Sequence, residues 1–196
     1  MTIMQLVLAS TSPYRRTLLE HLGLTFETAA PDTDETPLEN ETPNALVARL
    51  SEAKARAIAA QFPNALIIGS DQVAVLDDQI LGKPGNHENA IQQLQAASGR
   101  RVNFLTGLCL LNNKTDHCHV TVVPFSVVFR SLSEKQIEQY LLRDKPYQCA
   151  GSFKSEGLGI SLFEKMEGND PNALIGLPLI ALTTLLAAEG VDVLCP

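Results

Sequence analysis

The sequence predicts an α/β fold. Strand-like apolar runs alternate along the chain with segments whose apolar residues recur at helical spacing, an order typical of sheets flanked by helices. The chain has 196 residues, of which 45% are hydrophobic and 19% charged, and this composition favours a packed core over disorder. We therefore expect a single domain over residues 1–196.

The N-terminal half is predicted to contain two buried strands and two helices. Residues 5–9 form a short apolar run, and the hydroxyl cluster after it ends in Pro13, which favours a first helical turn. Gly23 is suited to end that helix. A longer helix is predicted from Thr42 onward, followed by a second buried strand over residues 65–69.

The rest of the chain repeats this alternation. Residues 73–76 favour a continuation of the second strand, and Asp77 with Asp78 is typical of a hairpin turn. Ser133 and Gln136 form a capping box. The further predicted elements are helices at 87–97, 133–143 and 177–189, strands at 102–111 and 119–129, and a Gly-rich, strand-like stretch with loops at 149–162.

The charge balance limits the classes of partner. Fifteen Lys and Arg residues against 22 Asp and Glu residues give a net charge of −7. A protein that binds the nucleic-acid backbone usually carries a basic face, so we expect no nucleic-acid polymer as partner. No apolar run approaches the ~20 residues that span a bilayer, and the first residues lack a secretory signal, so we expect no membrane partner and a cytoplasmic location.

A cluster of hydroxyls and arginines lies between the first strand and the first helix. It runs from Ser10 through Tyr14 to Arg15 and Arg16. The free N–H groups and positive dipole end of a helix start favour anions, and arginine matches phosphate oxygens in a bidentate manner. The segment is either a phosphate site or an ordinary helix cap with two solvated arginines.

Carboxylates and lysines supply further candidates. Asp71 directly follows the second buried strand, and we place it at the strand's C-terminal end, where open α/β sheets bind ligands. Asp32, Asp34 and Glu35 form an acidic loop that is either solvated or able to share a divalent cation with a triphosphate. Lys54 on the long helix and Lys83 in a Gly-Lys-Pro loop are either solvated or phosphate-binding.

The cysteines and histidines give weaker signals. The four cysteines show no C-x-x-C spacing, and we expect reduced, mostly buried thiols without zinc. His21 and His87 are expected to be structural or surface residues. His117 and His119 are two residues apart and able to touch one ion, but the sequence shows no third ligand.

Taken together, these segments resemble the Maf family of nucleoside triphosphate pyrophosphatases across essentially the whole chain. The residues that carry the resemblance occur in one order: 6–16, 34–37, 46–54, 68–72, 82–84, 149–157 and 176–178. The chain is most similar to the YceF-type subgroup, whose preferred substrate is 7-methyl-GTP. The resemblance implies an elongated α/β fold related to inosine-triphosphate pyrophosphatases, with a mixed sheet and a central cleft between two lobes.

The resemblance also implies a chemistry and a set of site residues. Water would attack at the α phosphate, releasing a nucleoside monophosphate and pyrophosphate with the help of Mg²⁺ or Mn²⁺. Asp71 matches the catalytic carboxylate and, with Glu35, the metal site. The matching phosphate-binding positions are Ser10, Arg15, Arg16, Lys54 and Lys83, and the matching specificity positions are Tyr14, Gln72 and Glu156.

Two positions depart from the family pattern. Ala53 stands where an acidic residue usually precedes the helix lysine, and Tyr14 stands where the subgroup has Trp. N7-methylation gives guanine a positive charge, which an aromatic face attracts and a carboxylate offsets, so Tyr14 and Glu156 still favour this base.

Two alternatives remain at the level of sequence. One is a pyrophosphatase for dTTP, UTP or another non-standard nucleotide. The other is a nucleotide-binding regulator of cell division without turnover, which the retained Asp71, Glu35, Lys54 and Lys83 disfavour. A homodimer is a family-level expectation.

Overall fold

A single mixed sheet organises the molecule. The computed structural model describes residues 4–195, in which seven strands form the sheet. The strands are β1 Gln5–Ala9, β2 Glu27–Ala29, β3 Ala65–Leu76, β4 Gln79–Leu81, β5 Arg101–Asn112, β6 His117–Phe129 and β7 Phe163–Gly168. The α-helices are α1 Pro13–Glu20, α2 Pro43–Ala57, α3 His87–Ala97, α4 Glu134–Asp144, α5 Asn172–Ile175 and α6 Leu179–Ala188.

Strand pairing produces a cleft in the middle of β3. The strand order is β2-β1-β3-β5-β6-β7, with β1 parallel to both neighbours and β5, β6 and β7 antiparallel. One edge of β3 pairs with β5. The other edge is shared by β1, which pairs as far as Ile68, and by β4, which pairs from Ala74. Residues 69–73 of β3 therefore have an open edge between two lobes.

Alternation along the strands separates two faces of the sheet. Leu66 and Ile68 point to the face that packs against α1 and α6, while Ile67 points to the face covered by α2. A second core on the first face holds α3, α4 and β7 around Phe104 and Phe153. The two lobes thus have separate cores on one continuous sheet, as the resemblance predicts.

Two glycines let α2 lie unusually close to the sheet. A Cβ on Gly69 would overlap the carbonyl oxygen of Ser51, and a Cβ on Gly107 would overlap that of Val47. Gly107 is the cross-strand partner of Asp71, so both glycines lie beside that residue on the α2 face. The close approach brings the side chains of α2 within reach of Asp71.

Several sequence predictions are confirmed. Strand β1 and helix α3 have the predicted bounds, Thr42 caps α2, and the Ser133–Gln136 capping box is formed. Asp77 and Asp78 both have positive φ, as a hairpin turn requires. Residues 4–195 contain no helix with the length and apolarity to cross a bilayer.

Other predictions are wrong. Asp71 does not end a strand, because β3 continues without a break through residues 65–76. The stretch 149–162 is not strand-like: it forms 3₁₀ turns at Ala150–Ser152 and Leu158–Leu162, and the strand comes after it, as β7. The single-domain assignment of residues 1–196 stays a prediction, and its residues 1–3 and 196 lie outside the described part of the chain.

The glycine contact makes a prediction about stability. We expect Gly107→Ala to lower the free energy of unfolding by about 1–3 kcal/mol, because the methyl group forces α2 away from the sheet. In a chain of this size each kcal/mol lowers Tm by about 2–4 °C. The measurement is thermal unfolding followed by circular dichroism.

Gly82→Ala is the matched control, since a Cβ there meets no atom within 4 Å. An equal Tm for the two variants would contradict the tight packing of α2.

Candidate active site

A cavity of about 410 Å³ opens at the unpaired edge of β3. Its size is within the range of sites for small molecules. It is bounded by both lobes: by the end of β1 and the start of α1, and by the loop that follows α4. The wall comprises Ala9–Arg15, Pro31, Glu35, Lys54, Gln72, Lys83, Phe104, Gln148–Ala150, Phe153, Ser155, Glu156, Leu174 and Ile175.

The start of α1 forms one wall of the cavity. Ser12 caps the helix by accepting the Arg15 N–H at 3.4 Å, and Pro13 occupies the first turn. The buried Ser10 hydroxyl oxygen accepts the Ser12 N–H at 3.1 Å. These bonds hold the turn rigid and direct the positive end of the helix dipole toward the cavity wall.

An ion-pair triad lies at the floor of the cavity. The ammonium of Lys54 lies 2.6 Å from Asp71 Oδ1 and 2.6 Å from Glu35 Oε1. The side chains of Lys54 and Asp71 are only 8% and 11% exposed, whereas that of Glu35 is 56% exposed. Lys54 and Glu35 line the cavity, while Asp71 is nearly buried against Lys54.

The electrostatics of the triad favour an ionised Glu35. The hydrogen bond from Lys54 lowers the pKa of Glu35 most, partial burial opposes this, and the positive charges of Lys83 and Arg15 lower it further. Glu35 therefore stays anionic at neutral pH.

A hydrogen bond to the residue that follows α5 fixes the side chain of Arg15. Its Nε donates to the Gly176 carbonyl oxygen at 2.8 Å, and the buried Ser70 hydroxyl lies 2.8 Å from the same oxygen. Burial lowers the pKa of Arg15, and the charges of Asp71 and Glu35 oppose that change. A guanidinium keeps its proton at neutral pH, so Arg15 adds a positioned cation. Gly176 has a φ of +118°, which favours glycine.

An aromatic and an acidic side chain also line the cavity. Tyr14 and Glu156 both line it, and burial raises the pKa of Tyr14, as do the nearby Cys149 and Glu156. Gln72 donates its side-chain amide to the Ala173 carbonyl at 2.6 Å, which joins the cavity wall to α5.

Besides Asp71, which lies beneath the cavity wall, three of the sequence candidates do not line the cavity. Arg16 is exposed on α1 and pairs with Glu20 at 3.1 Å, so the structure does not place it with the other phosphate candidates. Asp34 accepts the Thr36 N–H at 2.9 Å within its loop. Asp32 also lies outside the cavity wall. The structure brings together Ser10, Tyr14, Arg15, Glu35, Lys54, Gln72, Lys83 and Glu156, with Asp71 beneath them.

Sequence reasoning missed four contributors. Cys149, Phe104 and Phe153 line the cavity, and Gly176 anchors Arg15. The three side chains come from β5 and from the loop after α4, and only the pairing of the two lobes brings them to Tyr14. Cys149, Phe153 and Gly176 lie in segments 149–157 and 176–178, which carry the family resemblance but gave these three residues no role in the site.

The two carboxylates of the triad fit the ligand preference of a hard cation. Glu35 and Asp71 offer oxygen ligands of the kind that Mg²⁺ and Mn²⁺ prefer. Magnesium is commonly held by one or two carboxylates together with substrate phosphates, so two protein ligands are sufficient.

Comparison with known proteins shows the family of the whole chain. The family model described as "Maf-like protein" matches residues 5–189. The chain belongs to the Maf family. Three curated relatives are each named 7-methyl-GTP pyrophosphatase. The protein of Nitrosococcus oceani is 63% identical over 96% of this chain and 95% of its own length. Those of Alcanivorax borkumensis and Colwellia psychrerythraea are 60% and 57% identical, over 95% and 96% of this chain and 95% and 94% of their own lengths.

The fold also matches a solved structure outside this close group. The Staphylococcus aureus Ham1 protein superimposes with a TM-score of 0.54 and 14% identity, over 94% of this chain and 99% of that chain. At this identity the likeness concerns the fold. It supports the fold that the sequence resemblance implies.

The triad makes a prediction about protonation. We expect the pKa of Glu35 to lie below the usual value of about 4.3, and to rise in Lys54→Met, which removes the hydrogen-bond donor. Because the folded-state pKa is the lower one, the ion pair stabilises the fold above the unfolded-state pKa. This contribution is lost as pH falls through the folded-state value.

The measurement is an NMR titration of the Glu35 side-chain carboxyl in both proteins. A Glu35 pKa that is the same with and without Lys54 would show that the ion pair does not control this carboxylate.

Proposed function

We propose that this Maf-family protein is a nucleoside triphosphate pyrophosphatase that hydrolyses 7-methyl-GTP to 7-methyl-GMP and pyrophosphate. The observation that carries the proposal is one cavity that is lined by cations and a carboxylate, with Asp71 beneath them, and also by an aromatic and acidic pair. The names and the high identity of the three curated relatives support the choice of substrate.

The floor of the cavity suits a triphosphate. Arg15 and Lys54 are held in place by hydrogen bonds, and Lys83 lines the same wall in an exposed loop. Fixed cations stabilise the negative charge that builds up on the leaving pyrophosphate, and they need no rearrangement during the reaction. Lys54 has three N–H donors, of which Asp71 and Glu35 occupy two, so one is available for a phosphate oxygen.

Asp71 is the proposed catalytic carboxylate. Its Oδ1 is held by Lys54, which fixes the orientation of the carboxylate beside the cavity floor. In the proposed reaction Asp71 orients a water molecule and accepts its proton as the oxygen attacks the α phosphorus. The bond from that phosphorus to the bridging oxygen breaks, and the electron pair leaves with pyrophosphate. The enzyme forms no covalent intermediate.

Glu35 and Asp71 are the proposed ligands of Mg²⁺ or Mn²⁺. A bound divalent cation would offset phosphate charge and act as a Lewis acid. Because Lys54 already contacts both carboxylates, the side chains that would hold the cation are close to each other before it arrives.

The aromatic and acidic residues of the cavity suit a cationic base. Tyr14 offers an aromatic face and Glu156 a carboxylate, and both line the cavity together with Gln72. An aromatic face attracts the positive charge that N7-methylation places on guanine, and a carboxylate accepts hydrogen bonds from the N–H groups of the base. The homodimer and the cytoplasmic location stay predictions.

Asp71→Asn tests the catalytic assignment. We expect kcat/KM for 7-methyl-GTP to fall by about 10²–10⁴-fold, because an amide cannot accept the proton from water. Asp78→Asn is the matched control: it makes the same change in the β3–β4 turn, where Asn also tolerates the positive φ. The assay measures monophosphate and pyrophosphate separately, with Mg²⁺ or Mn²⁺ present.

The same assay tests the substrate with a panel of 7-methyl-GTP, GTP, dTTP, UTP and ITP. A preference for dTTP or UTP would contradict the proposed base. Tight nucleotide binding without turnover of any nucleotide would instead support a regulatory protein. Normal turnover by Asp71→Asn would remove Asp71 from the catalytic role.

Base selectivity is tested at Tyr14 and Glu156. We expect Glu156→Gln and Tyr14→Ala each to reduce the preference for 7-methyl-GTP over GTP by about 2- to 150-fold, the range set by one cation–π contact or one charge-assisted hydrogen bond. Tyr14→Trp should preserve or raise the preference, because indole attracts cations more strongly.

The measurement is the ratio of kcat/KM for the two nucleotides in each variant. Glu164→Gln, at an exposed position of β7, controls for the loss of a surface charge. Selectivity that stays constant across all variants would reject base recognition by this pair, even if pyrophosphatase activity remained.

A further inference from the structure

Two histidines and a glutamate converge on the opposite face of the sheet from Asp71. His117 and His119 are two residues apart on β6, so both point to the same face of the sheet. Leu110, which packs against α6, is on that face too. Asp71 shares its face with Gly107 and with α2. The three side chains therefore form a cluster separate from the candidate active site.

The third member of the cluster is Glu189, which directly follows α6. Its Oε1 lies 2.9 Å from His117 Nδ1 and 2.8 Å from His119 Nε2. The two imidazole rings have centroids 4.1 Å apart. Both nitrogens thus point at one carboxylate oxygen, and the three candidate ligand atoms lie within 4.8 Å of one another.

Asn112 fixes the direction of the carboxylate. Its side-chain Nδ2 donates to Glu189 Oε2 at 2.5 Å, which turns Oε1 toward the histidines. The carboxylate is therefore oriented by a neighbouring side chain, as ligands in metal sites usually are.

We propose that His117, His119 and Glu189 form a binding site for Zn²⁺ that joins the end of α6 to the β5–β6 hairpin. Two imidazole nitrogens and one carboxylate oxygen are a common ligand set for zinc, with the fourth position left to water. Magnesium prefers oxygen ligands, so the cluster differs in metal preference from Glu35 and Asp71.

The geometry needs only a small adjustment to hold the ion. Zn–N and Zn–O bonds of about 2.0–2.1 Å at tetrahedral angles place ligand atoms about 3.3 Å apart, slightly wider than the present hydrogen bonds. The side chain of His117 is 60% exposed, so it is free to shift outward. Each neutral imidazole can carry its proton on the other ring nitrogen, which frees the nitrogen that faces the ion.

Zinc at this position would join segments that are distant in sequence. Glu189 lies 72 residues after His117 and 70 after His119, and it ends the helix whose Leu182 and Leu186 pack against the sheet. An ion that binds only the folded arrangement raises stability, and the gain grows with the logarithm of the free ion concentration once that concentration exceeds the Kd.

The test is metal binding by the full chain after treatment with a chelator and its removal. Zn²⁺ is titrated by calorimetry in excess Mg²⁺, which occupies any site made only of carboxylates. We expect one Zn²⁺ per chain. Co²⁺, used as a spectroscopic probe, should show visible absorption bands typical of nitrogen and oxygen ligation in a tetrahedral site.

Variants separate this cluster from other histidines. His117→Gln and Glu189→Gln should each weaken Zn²⁺ binding by about tenfold or more, since each removes a ligand. His87→Gln is the matched control: His87 also lies 2.9 Å from a glutamate, Glu138, but its other ring nitrogen faces the Tyr147 hydroxyl. Its Zn²⁺ affinity should equal that of the unsubstituted chain.

Two results would overturn the proposal. One is an unsubstituted chain that binds Zn²⁺ no more tightly than His117→Gln. The other is equal weakening by His87→Gln. If Glu189→Gln does not fold, the exposed His117 decides the matter, because its substitution leaves the core intact. Hydrolysis of 7-methyl-GTP with Mg²⁺ should be unchanged in His117→Gln, so the two proposals fail or succeed separately.

Discussion

The site depends on how the two edges of β3 are used. A strand has two edges, and β5 occupies one of them along nearly the whole length of β3. The other edge is divided between β1 and β4, which leave residues 69–73 without a strand partner. Asp71 lies in the middle of that gap, where it pairs with Gly107 of β5 and its carboxylate contacts Lys54. The cleft is thus a consequence of strand pairing, and the chemistry is placed where the sheet is incomplete.

A second constraint follows from the first. A nearly buried carboxylate needs a partner, and Lys54 can supply one only if α2 lies close to the sheet. Gly69 and Gly107 permit that approach because neither has a side chain between helix and strand. The same approach brings Glu35 to the ammonium, so packing and electrostatics in this region have one cause.

Local signals predicted local structure well. Strand β1, helix α3 and the caps of α2 and α4 follow from apolar runs and capping residues that act over a few positions. Strand β7 was missed because it is short, largely polar and stabilised by pairing with β6. The sequence favoured a continuation of the strand at residues 73–76 but placed Asp71 at a strand end, and the pairing with β5 shows that the strand runs unbroken through Asp71.

The candidate site was also predicted best where local signals carry the information. Its residues were proposed from motifs in one order along the chain, and most of them do line one cavity. Arg16 lies elsewhere because successive residues of a helix point in different directions, and only one of two neighbouring arginines can face the cavity. Cys149 and Phe153 come from a stretch that was expected to be strand-like. Glu189 lies about 70 residues from the histidines it meets, and no local pattern connects them.

The position of Gly176 in the sequence determines when the contact that fixes Arg15 can form during synthesis. The Gly176 carbonyl oxygen accepts a hydrogen bond from Arg15 and lies against Ser70. Gly176 follows every residue of the cavity wall in the sequence, so it is synthesised after all of them. Because ribosomes extend chains from the N-terminus, a nascent chain displays Lys54, Lys83 and Glu156 before the carbonyl that fixes Arg15 exists. The hydrogen bond that fixes Arg15 therefore forms only after the C-terminal part of the chain has been synthesised.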